Sequence, residues 1–480
     1  MSLLHHRFGL SAFLLPFLIR TVPEIIVGPY PVGFDPIAFY IPTTVDWASS
    51  GVDPLTILGT APLLFFLSVP AYSLFQVSPV WIFKLLGPIL YGSLGWAMYR
   101  FLRVGPRWCN RKGLLCCLFA SIYFVTLRIG WDSFRIVLGL TFMLLLLPLL
   151  DREKPDDRPS VIATLLVATI ASDQLTGILA LLIVGSRMIQ DLSGRRANRM
   201  LLPFGLGSIA LTAVVYSFFS LPNSLFPIPP LSQTAWGLPS GLSFLGYAFL
   251  PLIPFLIVGA KRGVSFRIKM WISICVSFAL IAVLPFPLFR ETSYRWTLLM
   301  DIPICIIAFT GVENVFVALD HLPKVRLLRG LARVALPGVF VSMAVLYLVL
   351  PANIAMPYYT QFPDFVPTSM VQNTVPSYDM ENLVQALIWV ANQSRFDMAL
   401  ITHQAIYGWA RIYFPYSGQI VNYYYANPLE GVHRAQSLGF SSIYLVWWMN
   451  STGWYGMPSV PSSFVVVHET GNFDVYKYGI

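Results

Sequence analysis

Apolar and polar positions alternate along this chain over stretches of many residues, not every second or fourth one. Runs such as SAFLLPFLIR and IVLGLTFMLLLLPLL are separated by short polar or basic loops. A helix needs about 20 apolar residues to cross a hydrocarbon core. Runs near that size predict spans at 8–27, 78–101, 113–128, 133–150, 159–171, 175–190, 201–220, 241–259, 268–286, 297–316 and 334–351. Residues 57–76, ILGTAPLLFFLSVPAYSLFQ, are apolar as well, yet a crossing there would put the basic loop 100–112 on the opposite side from the other basic loops. That segment reads as re-entrant or interfacial, or as two very short helices. The expected fold is a polytopic α-helical membrane protein of about 11–13 transmembrane helices, filling residues 1–351 and including an outer loop at 28–60.

From about residue 352 the period changes. NLVQALIWVANQ (382–393), AIYGWARIYF (405–414) and PLEGVHRAQSLG (428–439) read as helices. They alternate with β-rich segments FDMALIT (396–402), GQIVNYY (418–424) and SSIYLVWW (441–448). SFVVVHETG (463–471) and FDVYKYGI (473–480) read as a terminal hairpin. Helix–strand alternation predicts a small α/β domain with a partly parallel sheet over 352–480.

Composition agrees with the pattern: 56% of the 480 residues are hydrophobic and only 11% are charged, against about 25% charged in soluble domains. The net charge of +9 is concentrated in the loops, where 20 of the 31 Lys and Arg residues cluster, with Arg7 of the N-terminus on the same side. Basic loops mark the cytoplasmic side of a membrane, so the charge is a topology signal and nucleic acid is not an expected partner. This assignment predicts a multi-pass plasma-membrane protein with a cytoplasmic N-terminus and an extracellular C-terminal domain. The first apolar run lacks a small-residue cleavage site and reads as an uncleaved span. Five cysteines show no metal-ligand or disulfide spacing. Two Asn-x-Ser/Thr triplets, at Asn392 and Asn450, fall in the outer tail, where glycosylation would reach them.

Candidate chemistry lies at the outer ends of the spans. PYPVGFDPIAFY (29–40) places Asp35 just beyond the first span, with Gly33 permitting an unusual backbone and Pro36 favouring extended geometry at Asp35. A carboxylate there either caps and solvates its loop or serves as a general base or metal ligand facing an outer cavity. Tyr40 closes the same stretch and is a further cavity candidate, while Glu24, Asp46 and Asp53 read individually as surface or interfacial residues. PFPLFRETSYRW (285–296) sets Arg290, Glu291 and Arg295 at the same membrane level. Arginine forks suit phosphate oxygens, although the flanking Tyr294 and Trp296 equally suit an interfacial belt. Arg128 and Arg135 flank Trp131 and Asp132, where an internal ion pair is the competing reading. Lys84, about two turns into its span, is a functional candidate by its depth and a snorkelling side chain by its length. Asp173, in ASDQLTG (171–177) between two short spans, either faces the cavity or caps the second helix.

Three stretches together, PYPVGFDPIAFY, ASDQLTG and YRWTLLMDIP (294–303), with the α/β tail, resemble the glycosyltransferase C (GT-C) superfamily of integral-membrane enzymes that use polyprenyl-phosphate sugars. The layout is most similar to archaeal and bacterial members related to protein mannosyltransferases and aminoarabinose transferases. The resemblance implies an acidic residue in the first outer loop acting as catalytic base or metal ligand, which Asp35 matches. Many members carry two adjacent acids there, whereas this chain has Phe34-Asp35-Pro36. VWWMNSTGWYG (446–456) lacks the aspartate of the oligosaccharyltransferase signature, which argues against en bloc transfer to asparagine. The implied activity is inverting transfer of one sugar from a polyprenyl (dolichyl) phosphate donor to a glycan, lipid or protein acceptor. Arg290, Arg295 and Lys84 would hold the donor phosphate, and a divalent ion (Mg2+ or Mn2+) is the one candidate cofactor. Two other classes compete: a flippase of lipid-linked sugar, disfavoured by the lack of a two-fold repeat, and a non-catalytic envelope-assembly protein.

Overall fold

The computed structural model describes the chain except residues 1, 50–51, 151–157, 191–196, 220–237, 262–264, 282–292, 322–325, 350–353, 360–365, 367–369, 394, 425–426, 450–459 and 480. The first span is α1 (Ser2–Ile26). Three helices follow in the outer loop and the apolar segment after it: α2 (Ile41–Ser49), α3 (Pro54–Gly59) and α4 (Leu63–Phe75). Residues 57–76 thus hold parts of two short helices, broken near Pro62, whose ring cannot donate to a continuing ladder.

The bundle continues with α5 (Pro79–Val104), α6 (Asn110–Ile122), α7 (Phe124–Asp132), α8 (Phe134–Leu146), α9 (Pro159–Ser172), α10 (Gln174–Gln190), α11 (Ala197–Phe219) and α12 (Leu238–Phe249). It closes with α13 (Ile253–Ala260), α14 (Phe266–Ile281), α15 (Ser293–Leu299), α16 (Asp301–Asp320) and α17 (Arg326–Val349). Among the described residues, every predicted span therefore coincides with helix. Among the described residues six spans are long and apolar enough to cross a membrane by themselves, or seven if the bent pair α6–α7 counts as one. Several others are shorter apolar helices. Their outer faces expose leucines such as Leu10, Leu18, Leu85 and Leu206, the pattern of a multi-pass protein whose bundle surface meets lipid.

The bend between α6 and α7 is 69°. Tyr123 turns to extended backbone there, at the head of a run of aromatic and β-branched residues (Tyr123–Thr126) that hold helix poorly. All of α7 is buried, and the bend points its C-terminal end, with Asp132, toward the loop after α1. A similar break separates α9 from α10 at Asp173, whose carboxylate accepts from the Thr176 N–H at 2.9 Å and from its hydroxyl at 3.0 Å. Asp173 is thus a helix cap.

The tail carries α18 (Met380–Asn392), α19 (Gln404–Tyr413) and α20 (Pro428–Ser437). They accompany strands β1 (Met398–His403), β2 (Ile420–Tyr424), β3 (Ser442–Trp448), β4 (Phe464–Thr470) and β5 (Phe473–Tyr478). The sheet order is β2-β1-β3-β5-β4. β1 runs parallel to β2 and β3, while β5 is antiparallel to β3 and β4. This is the partly parallel sheet the alternation predicts, with the terminal hairpin added at one edge.

Candidate functional site

Asp35 lies where α1, α7 and the tail meet. Gly28 and Gly33 take positive φ (69° and 100°) and fold the chain back over the end of α1. A Cβ at Gly33 would lie 2.7 Å from the Trp131 carbonyl oxygen and 2.9 Å from the Pro36 ring, so this approach requires glycine. Asp35 is not extended, as Pro36 led us to expect; its φ and ψ are −62° and −40°. It stands at the N-terminal boundary of a π-helix at Pro36–Tyr40, and its side chain makes no capping bond there. A residue before proline disfavours this region. Here a hydrogen bond offsets that preference: the Asp35 N–H donates to Asp132 Oδ1 at 2.5 Å. Burial of Pro36, Ile37 and Tyr40 adds to it. π-Helical turns recur at functional sites.

The Asp35 carboxyl is half-buried, with the Tyr40 hydroxyl 3.5 Å from Oδ2. Removal from water is the main reason its pKa rises to about 7, and the neighbouring Asp132 charge adds to the rise; Arg295, Arg128 and Arg135 oppose it. A carboxylate poised near 7 is suited to general-base work.

Asp132 is the second acid that the loop sequence lacks, and it arrives from α7. Its Oδ2 accepts from Arg128 at 2.9 Å, and both side chains are buried. The internal ion pair considered for Arg128 is therefore present, and Arg128 belongs to the wall of the site. Sequence reasoning saw Asp132 only as an ion-pair partner. The available signal was GWDSFR, an acid at the outer end of a span at the level of Asp35.

Arg295, on α15, is half-buried. Its Nε donates to the Tyr294 hydroxyl at 3.0 Å, and among the described residues it makes no ion pair. Its charge acts on Asp35 and Asp173. Arg135, at the start of α8, donates to the Gln174 side chain and lies 3.4 Å from the Ser172 carbonyl oxygen. It too is half-buried. Two cations thus reach the neighbourhood of Asp35 from different helices.

Lys84 stands apart from this group. Its ammonium contacts Glu24 Oε2 at 3.0 Å, the Glu24 carbonyl at 2.9 Å and the Tyr30 carbonyl at 3.0 Å, which occupies all three of its donors. Arg20 pairs with the same glutamate at 2.7 Å and also donates to the Gly130 and Trp131 carbonyls. Glu24 is accordingly a buried ion-pair centre, not the surface residue its sequence context suggested. Asp46 pairs with Arg411 of α19, and Asp53 caps α3. Arg290 and Glu291 lie outside the described residues.

For a divalent ion, the donor set is thin. Among the described residues no three His, Cys, Asp or Glu side chains converge. Both Asp132 oxygens are engaged by Asp35 and Arg128. The described residues do not assemble a metal cage around Asp35.

No protein-family model matches the chain, and no curated protein matches it by sequence. Solved structures do. The chain is similar to ArnT from Cupriavidus metallidurans bound to undecaprenyl phosphate, with 14% identity, 97% of each chain covered and a TM-score of 0.47. It is also similar to the Archaeoglobus fulgidus oligosaccharyltransferase in complex with Zn and sulfate, with 14% identity, 90% of this chain and 67% of that chain covered, and a TM-score of 0.51. At this identity the likeness speaks to fold. With its bundle of apolar helices and its terminal mixed sheet, the chain is a multi-pass membrane protein whose fold is similar to that of the Archaeoglobus fulgidus oligosaccharyltransferase.

Proposed function

We propose that this protein is a membrane glycosyltransferase that moves a single sugar from a polyprenyl-phosphate donor to an acceptor at the end of the bundle that carries the tail sheet. The observation that carries the reading is Asp35: a half-buried carboxyl with a pKa near 7, its backbone N–H held by Asp132 and its charge opposed by Asp132 and favoured by Arg295, Arg128 and Arg135. The shared fold and the sequence resemblance to GT-C enzymes supply the donor class.

In this mechanism the ionised Asp35 carboxylate takes the proton of an acceptor hydroxyl or amine. The acceptor atom bonds to the anomeric carbon as the bond from that carbon to the phosphate oxygen breaks, which inverts the configuration. The lipid phosphate leaves with the bonding electron pair, and Arg295 with Arg135 stabilises its charge. Arg135 replaces Lys84 in this role, because the Lys84 donors already serve Glu24 and Tyr30. Lys84 instead ties α5 to α1 through Glu24, and Arg20 ties α1 to the end of α7. With basic loops on the cytoplasmic side, the reaction would occur on the outer face of the plasma membrane, and residues 352–480 would form the outer domain.

The test is transfer from radiolabelled polyprenyl-phosphate sugar in proteoliposomes. Label should pass to an acceptor with wild-type protein and be lost with Asp35→Asn. Near-full turnover by Asp35→Asn would remove the base assignment. Movement of the lipid-linked sugar across the bilayer without covalent transfer would replace the whole reading with a flippase.

A further inference from the structure

The loop that carries Asp35 is held from the far end of the chain. A buried segment, Gln372-Asn373-Thr374, runs between the bundle and the tail sheet with relative exposures of 0%, 3% and 2%. Each of its residues ties a different element. Asn373 Oδ1 accepts from the Gly33 N–H at 2.6 Å, two residues before Asp35. The Gln372 carbonyl accepts from Trp131 Nε1 at 3.1 Å, next to Asp132, and its side-chain amide donates to the Tyr347 carbonyl at 2.7 Å. Thr374 Oγ1 accepts from Trp409 Nε1 of α19 at 3.0 Å.

Helix α19 then presses on the loop from above. A Cβ at Gly408 would lie 2.6 Å from the Ile37 carbonyl oxygen and 2.8 Å from the Ala38 Cα, so the two backbones meet directly. Arg411 on the same helix pairs with Asp46 of α2. The stretch 33–46 is therefore gripped by residues 372–411, over 300 positions later in the chain.

We propose that Asn373 is a positioning residue: by holding the Gly33 amide it fixes the backbone that aims the Asp35 carboxylate beside Asp132. The catalytic half of this statement rests on the reading of Asp35 as base. The structural half does not. Gly33 has a positive φ, and a glycine backbone without an anchor has wide freedom. Asn373 supplies that anchor from a buried site, where one hydrogen bond to a backbone amide has no water to replace it. The Asp35 N–H bond to Asp132 is the second anchor. With one of the two removed, the carboxylate pivots about the other.

The experiment uses full-length protein in nanodiscs, with Asn373→Leu and Thr374→Val as variants. Leucine removes the acceptor at similar volume. Valine removes the Trp409 partner with less risk to folding. Hydrogen exchange read by mass spectrometry over peptides spanning 31–40 should accelerate roughly tenfold in Asn373→Leu, and less in Thr374→Val, while peptides from β1 and β3 stay protected. In the transfer assay, kcat should fall by up to roughly 100-fold, the scale of a misplaced reacting group, with donor KM unchanged. Unchanged exchange at 31–40 in both variants would overturn the anchoring role. Faster exchange with unchanged kcat would overturn the positioning role. If wild-type protein transfers no sugar at all, the proposed function fails, and the exchange data still decide whether Asn373 anchors the loop.

Discussion

The pairing of Asp35 with Asp132 makes a quantitative prediction about pH. Asp132→Asn keeps a side-chain oxygen that accepts the Asp35 N–H, so the loop retains its hydrogen bond while the charge is removed. As a general scale, like unit charges at ~5 Å repel by about 3 kcal/mol at an effective dielectric near 20, equivalent to about 2 pKa units. Solvent at the half-buried Asp35 lowers that figure, so we expect a fall of about 1–2 units. Burial, the larger cause of the shift, stays in place. Asp35 works as a base when ionised, so kcat/KM should rise with pH through an acidic limb near 7 in the wild type. In Asp132→Asn the limb should move down to about 5–6. The assay is the pH profile of initial transfer rates in proteoliposomes, with monodispersity checked because the variant removes the Asp132 charge that faces the buried Arg128. A limb that stays in place, or moves upward, would refute the coupling of the two carboxyls and with it the electrostatic account of the site.

Further outcomes follow from the same geometry. Asp35 holds its proton up to about pH 7 in the folded protein, while the unfolded chain releases it near 4, so stability from this group is present below about pH 4 and lost as pH rises to 7. Asp35→Asn should therefore raise the thermal midpoint at pH 8 and leave it little changed at pH 4; a lower midpoint at pH 8 would contradict this. Arg295→Gln should reduce kcat by roughly 100- to 1000-fold if its guanidinium meets the leaving phosphate, and a change confined to less than about twofold would exclude that role. Lys84→Met should destabilise by about 3–5 kcal/mol because Glu24 loses one of its two cations. The double variant with Glu24→Gln should recover part of that loss in a thermal-shift cycle, and strict additivity would count against the network. In the tail sheet, burial lowers the His403 pKa to about 3, and its neutral Nδ1 accepts from the Ala405 N–H. Stability is then complete above about pH 6.5 and lost as pH falls toward 3. Tryptophan fluorescence melts at pH 7 and 4.5 should show that loss, and His403→Gln should flatten it.

The amino-acid sequence by itself determined the elements. Apolar runs of membrane length became helices at each expected span, because hydrocarbon leaves an apolar segment no other way to satisfy its backbone. The tail strands and helices were legible for a similar reason: period-2 and helical patterning are local signals, and the cap reading of Asp173, one of two left open, came from its neighbours alone. Asp35 stood out because an acid among aromatic, proline and glycine residues at a span end is locally anomalous. What the sequence did not contain was the company each charge keeps. Lys84 looked like a functional candidate and Glu24 like a surface residue, and they proved to be partners 60 positions apart, since two buried charges are tolerable only when paired. The helical geometry of Asp35 contradicted its own proline, because a hydrogen bond from its N–H to a residue 97 positions away outweighed a local preference. Asn373 gave no local signal at all. Its meaning arises only when the tail folds back and buries it against Gly33, and contacts of that range depend on tertiary packing, not on any pattern along the chain.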